Sequence, residues 1–199
     1  MKNRLLLFYF LLIVLSQPTF SQQIYHLNDI KNIQAITWYG LDFSKGKLEN
    51  DFKNPKELIQ AFINGWNEYV VSTQADIRSL LKKEHLDVDL SIVTERNLNF
   101  SNSKENLTKG IISQNISGYK VHKTEGIGLV FIIDSFDKST EKAKVWVTFF
   151  DIASKKVLLT EQVTGKTKRS SSMVLHWGTA MLDIMSGVPE FYRVYQKLE

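Results

Sequence analysis

The stretch VTFFDIASKKVLLTEQVTG, Val147 to Gly165, decides the fold. Two apolar, β-branched and aromatic arms flank the turn residues Ser154, Lys155 and Lys156, which is the pattern of a β-hairpin. Just before it, GIGLVFIIDSF (Gly126–Phe136) is a nearly continuous apolar run, the mark of a strand covered on both faces. The run Ile127–Asp134 is therefore expected at the centre of a sheet, with the hairpin beside it. Val145, Val147 and Phe149 should face one layer, and Trp146, Thr148 and Phe150 the other.

Working outward, IQAITWYGLDFS (Ile33–Ser44) predicts a strand ending at a turn. NPKELIQAFINGWNEYVV then has a helix start, with Asn54 as N-cap, Pro55 at the first position and Glu57 at the third. Leu58, Ile59, Phe62, Ile63, Trp66, Tyr69 and Val70 recur on one face of that helix. TQADIRSLLKKE predicts a second, shorter helix with Ile77, Leu80 and Leu81 inward. HLDVDLSIVTER alternates Leu86, Val88, Leu90 and Ile92 with mostly polar residues, which predicts a strand throughout. SKENLTKGIISQNI carries a helical stripe of Leu107, Ile111, Ile112 and Ile116. SSSMVLHWGTAMLDIM predicts a serine-capped helix, interrupted by GVP at Gly187–Pro189 and followed by a short terminal helix. The sum is one α+β domain over residues 22–199: a mixed sheet of about five strands in the order β-α-α-β-α-β-β-β-α, with helices packed on it.

The first 21 residues are expected to be a cleaved signal peptide. Lys2 and Arg4 precede the apolar run LLLFYFLLIVL, and Thr19 and Ser21 suit the −3 and −1 cleavage positions. A membrane anchor is the competing reading, but the run is short for a bilayer span and breaks at SQP. Removing Lys2 and Arg4 lowers the formal charge from +4 to +2, so the mature chain is nearly balanced and gives no footprint for nucleic acid. Without cysteine there is no disulfide, no thiolate nucleophile and no lipid-bearing residue. The expectation is a soluble chain, periplasmic or secreted, with no stable membrane anchor.

No catalytic motif is visible, and no enzyme activity or cofactor is expected. Gly165-Lys166-Thr167 sits between a strand and a helix, as a P-loop would, but Thr160 stands where the motif needs glycine. A milder possibility is an anion or partner loop made by Lys166, Lys168, Arg169 and Ser170 ahead of the last helix. His26, His85, His122 and His176 are dispersed and show no metal-ligand spacing. Asp42, Asp134 and Asp151 each end an apolar run. Two of them meeting would suggest a hydrolase, although aspartate at a strand end is ordinary turn chemistry. Tyr39 and Trp146 alternate against inward neighbours and are the aromatics expected to be exposed, as a sugar- or peptide-binding surface requires.

ITWYGLDFSKGKL and GIGLVFIIDSFDKSTEKAKVWVTFFDIASKKVLLTEQVTGK together resemble small exported proteins of Bacteroidetes bacteria. More distantly, an apolar strand, a hairpin arm ending in Asp151, the return VLLTEQVTG and a Ser-started helix with Trp177 resemble the sheet domain of the TolB N-terminal part and of curli-secretion lipoproteins. That resemblance implies a binding or scaffolding role with another envelope protein as partner. Membrane attachment is not implied, because the lipid-bearing cysteine is absent and ASKK replaces the usual TG turn. If the hairpin lies at the sheet edge, it can accept a partner's strand.

Overall fold

In the computed structural model the described residues are 26, 28–50, 52–72, 78, 79 and 81–195. The expected leader over residues 1–21 lies outside them, as does half of the expected second helix, of which Leu81 is buried. The elements run α1 (Asp29–Asn32), β1 (Ala35–Asp42), β2 (Lys47–Glu49), α2 (Pro55–Ser72), β3 (His85–Val88), α3 (Ser91–Asn97) and α4 (Lys109–Ser117). They continue with β4 (Ile127–Asp137), β5 (Lys142–Asp151), β6 (Val157–Lys166) and α5 (Met173–Tyr195). Among the described residues no helix is long and apolar enough to cross a membrane.

The class is α+β: one mixed sheet of six strands in the order β3-β1-β4-β5-β6, with the short β2 beside the far end of β4. β1 runs parallel to both β3 and β4, while β4, β5 and β6 form an antiparallel meander. β4 is central, as its composition requires, and Ile127–Phe136 are all buried. On one face Trp38, Leu129, Phe131, Val145, Val147 and Phe149 pack under α2 and α5. On the other, Tyr39, Val130, Ile132, Trp146 and Phe150 pack under α3, α4 and Tyr119. The alternation expected for β5 is therefore realised.

Three expectations change. Leu90 to Arg96 do not continue a strand. β3 stops at Val88, and Asp89 turns the chain by accepting bonds from the Ser91 amide (3.1 Å) and hydroxyl (2.5 Å). Ile92, Val93 and Asn97 then share a helical face, a period hidden under the overlapping two-residue alternation. Because α3 and α4 cover the second face, Tyr39 and Trp146 are not exposed: they keep 0% and 8% of their surface. The third change is at GVP, where α5 continues unbroken to Tyr195, with Val188 buried against the core.

The GKT resemblance also resolves. Gly165 lies inside β6 directly beneath α5, where a Cβ would sit 2.2 Å from the Ala180 carbonyl oxygen. It is a contact glycine rather than a phosphate loop. Gly165→Ala should lower unfolding free energy by about 1–3 kcal/mol, as overpacking does. Gly187→Ala, with no described atom within 4 Å of the new Cβ, should raise it by up to about 1 kcal/mol through helix propensity. Urea denaturation of both variants checks the contrast.

Candidate functional site

Asp151 does not join the other strand-end aspartates in an acid/base pair. Asp151 is opposite Ile127, at the other end of the sheet from Asp42, which is opposite Ile132. It accepts the Ser154 amide (2.7 Å) and hydroxyl (2.5 Å), so it organises the hairpin turn. Asp134 accepts the Leu107 amide (3.3 Å) and the Gln162 side-chain amide (2.9 Å). Asp42 is fully buried and accepts Arg96 Nε (2.8 Å), the Tyr119 hydroxyl (2.7 Å) and the Ser44 amide (2.8 Å). Burial, followed by the Asp42 charge, holds the Tyr119 hydroxyl well above its ordinary pKa, so it stays a neutral donor. These are satisfied structural groups.

What opens to solvent instead is a cavity of about 490 Å³ at the start of α5. Its apolar floor is Phe52, Leu58, Met173 and Trp177. Trp177 is fixed by stacking on Phe136 with ring centroids 4.3 Å apart, and Trp66 Nε1 donates to the Met173 carbonyl (3.1 Å). Lys53, Lys138, Glu141, Ser170 and Ser171 form the rim with His176, whose ring sits edge-on to Trp177. Arg169 joins them at the adjoining mouth. Asp137 shapes the turn that supplies Lys138 and Glu141. It accepts Asn50 Nδ2 (2.7 Å), the Ser139 amide (2.9 Å) and hydroxyl (2.7 Å), and the Thr140 hydroxyl (2.8 Å).

Of the loop singled out in the sequence, Ser170 lines this cavity and Arg169 lines only the adjoining mouth, while Lys166 and Lys168 line neither. Their amides are spent on α5, Lys166 N–H on Asp183 Oδ2 (2.9 Å) and Lys168 N–H on Thr179 Oγ1 (2.8 Å). The serines cap their own helix: Ser170 Oγ accepts the Ser172 amide (3.1 Å), and Ser172 Oγ accepts the Leu175 amide (3.4 Å). Phe52, Lys53, Lys138 and Glu141 were missed because nothing local marks them; only the fold brings them to Trp177. Among the described residues no three His, Asp or Glu side chains gather as metal ligands.

The second open feature is the outer edge of β6, a ten-residue strand paired only with β5 among the described residues. The Thr167 amide donates to the Glu141 carbonyl (3.0 Å), which makes Lys142 and Lys166 a pair that exchanges no hydrogen bonds. By alternation, Thr160, Gln162 and Thr164 aim their backbone N–H and C=O groups away from β5; Thr160 is buried, and Gln162 and Thr164 are exposed. α5 seals the edge at residues 166 and 168 but no further. Lys109, on the α4 side, reaches Glu161 (2.6 Å), which shares its face with Leu159 on the α5 side. The pair thus clasps the edge.

Two measurements probe the surroundings. Arg96→Met strands the buried Asp42 charge and should cost about 3 kcal/mol or more of stability. Adding Asp42→Asn should restore part of it, as read in a denaturant double-mutant cycle. Hydrogen bonds from Asn50 and Ser139 hold the Asp137 carboxyl far below its ordinary range. A folded-state pKa below the unfolded value contributes stability that is complete above the unfolded pKa and is lost as pH falls through the folded one. Asp137→Asn should therefore flatten the loss of melting temperature below about pH 4.

No family model, no curated protein and no solved structure matches this chain.

Proposed function

We propose that the mature chain is an exported binding component of the bacterial cell envelope that holds an extended segment of another envelope protein against β6. The observation that carries the reading is the pair of exposed residues Gln162 and Thr164, whose backbone groups point outward from β6. Strand addition uses such groups for affinity and alternate side-chain positions for selectivity. From Val157 to Gly165 the strand has no proline, and its only charged residue is Glu161. Edges with no such role are commonly blunted by charge, proline or brevity.

The Lys109–Glu161 clasp is consistent with this role. Both partners are partly exposed, at 59% and 30%, so the pair is worth at most about 1 kcal/mol. Each ladder hydrogen bond contributes roughly 0.5–1.5 kcal/mol. A partner making several such bonds displaces the clasp, whereas a chance contact making one does not. Two observations weigh for this reading over its rivals: Tyr39 and Trp146 are buried, and hydrogen bonds engage the strand-end aspartates.

The test compares tagged residues 22–199 with a Thr164→Pro variant in pull-downs from cross-linked envelopes. Proline is tolerated where an edge N–H faces outward, so the variant should fold while losing one outward donor. Wild type should retain one stoichiometric protein, and the variant at least tenfold less. Amide exchange at Gln162 and Thr164 should slow in the complex. Equal capture by the folded variant, or a clean lane with wild type, would sink the proposal.

A further inference from the structure

We infer that the cavity at the start of α5 is a binding site for a small anionic molecule with an apolar body, about the size of a two-ring aromatic sulfonate or carboxylate. The site shares no lining residue with the β6 edge. Its volume of about 490 Å³ falls within the roughly 300–1,000 Å³ of small-molecule sites. The floor explains the apolar body: Phe52, Leu58, Met173 and Trp177 present carbon, and the stack of Trp177 on Phe136 keeps that floor preformed. A preformed floor spares a ligand the ordering cost of building it.

Charge selects the sign. Lys53 stands on the rim and Arg169 at the adjoining mouth, and among the described residues neither is within ion-pair distance of a carboxylate. Among the described residues Glu141 is the single acidic one in the lining, and the Ser170 and Ser171 hydroxyls add donors. An anion entering a partly enclosed apolar space beside two unneutralised cations gains more than it would in bulk water, because the effective dielectric is lower. The free end of α5 is not what recruits it, since Ser170 and Ser172 already occupy donors of that turn.

The probe pair is 8-anilinonaphthalene-1-sulfonate and its neutral counterpart N-phenyl-1-naphthylamine, titrated into residues 22–199 and read by probe fluorescence. The sulfonate should saturate at one site and bind at least tenfold more tightly than the neutral compound. The exposed double variant Lys53→Ala/Arg169→Ala should lose that preference while binding the neutral probe unchanged. Equal affinities in the wild type would overturn the site, and so would an unsaturable signal or a preference that survives in the double variant.

Discussion

β4 cannot be left bare on either side, and the rest of the chain is arranged around that constraint. Ten of its eleven residues are buried. Leu129, Phe131 and Ile133 point to one face, and Val130 and Ile132 to the other. Burying one large aliphatic or aromatic side chain is worth roughly 1.5–3 kcal/mol, so an uncovered second face would forfeit several such terms at once. The sheet therefore needs two helical layers. α2 and α5 supply the first with long amphipathic faces. The second comes from the short α3 and α4, reinforced by Tyr119, whose ring lies edge-on to Phe150 at 5.9 Å.

Covering β4 creates a second demand, at β1. β3 pairs only with Ala35–Trp38, so the far half of β1 has a free side inside the protein. A buried backbone group without a partner costs about 1–3 kcal/mol. Two asparagines take the place of the missing strand. Asn97 accepts the Phe43 amide (2.7 Å) and donates to the Leu41 carbonyl (2.8 Å), while Asn67 accepts the Leu41 amide (3.0 Å). Gly40, at φ 95°, makes room for them: a Cβ there would lie 2.7 Å from both Asn67 Oδ1 and Leu90. This also explains the polar side of α3. Ile92 and Val93 enter the second core, while Arg96 and Asn97 reach to the end of β1.

The parts legible in the sequence are those in which one local period has no rival. β4, β5 and β6 were readable from their apolar runs, and α2 from Asn54-Pro55 and the stripe that puts Ile59, Ile63, Trp66 and Val70 inside. α3 was not, because Leu86, Val88, Leu90 and Ile92 satisfy a strand period across a real boundary at Asp89. Tyr39 and Trp146 are expected outside from alternation with inward neighbours alone, a pattern that does not show that α3 and α4 cover the second face. β2 is too short for any periodicity, and its three residues are held by pairing with Ser135–Asp137. Pro189 is a helix breaker by propensity, but burial of Ile184, Met185 and Val188 carries the helix to it. For the cavity, Arg169 and Ser170 were visible because a basic loop before a helix is a local signal. Lys53 and Glu141 belong to other elements and have no meaning until Phe136 and Trp177 stack.

α5 ties the two open features together. Its first turn walls the cavity through Met173, His176 and Trp177, while Thr179 and Asp183 close the end of the β6 edge. Between them Ala180 sits on Gly165, the point of closest approach between helix and sheet. The height and axial position of α5 are thus set by a contact that admits no side chain. Both openings inherit that setting. A helix standing higher would spread the cavity floor away from Phe136 and release the Lys166 amide, lengthening the free edge. A helix shifted along its axis would trade one opening against the other. The mouth of the cavity and the length of strand left for a partner are therefore joint consequences of one close packing contact, at the residue that superficially marked a phosphate loop.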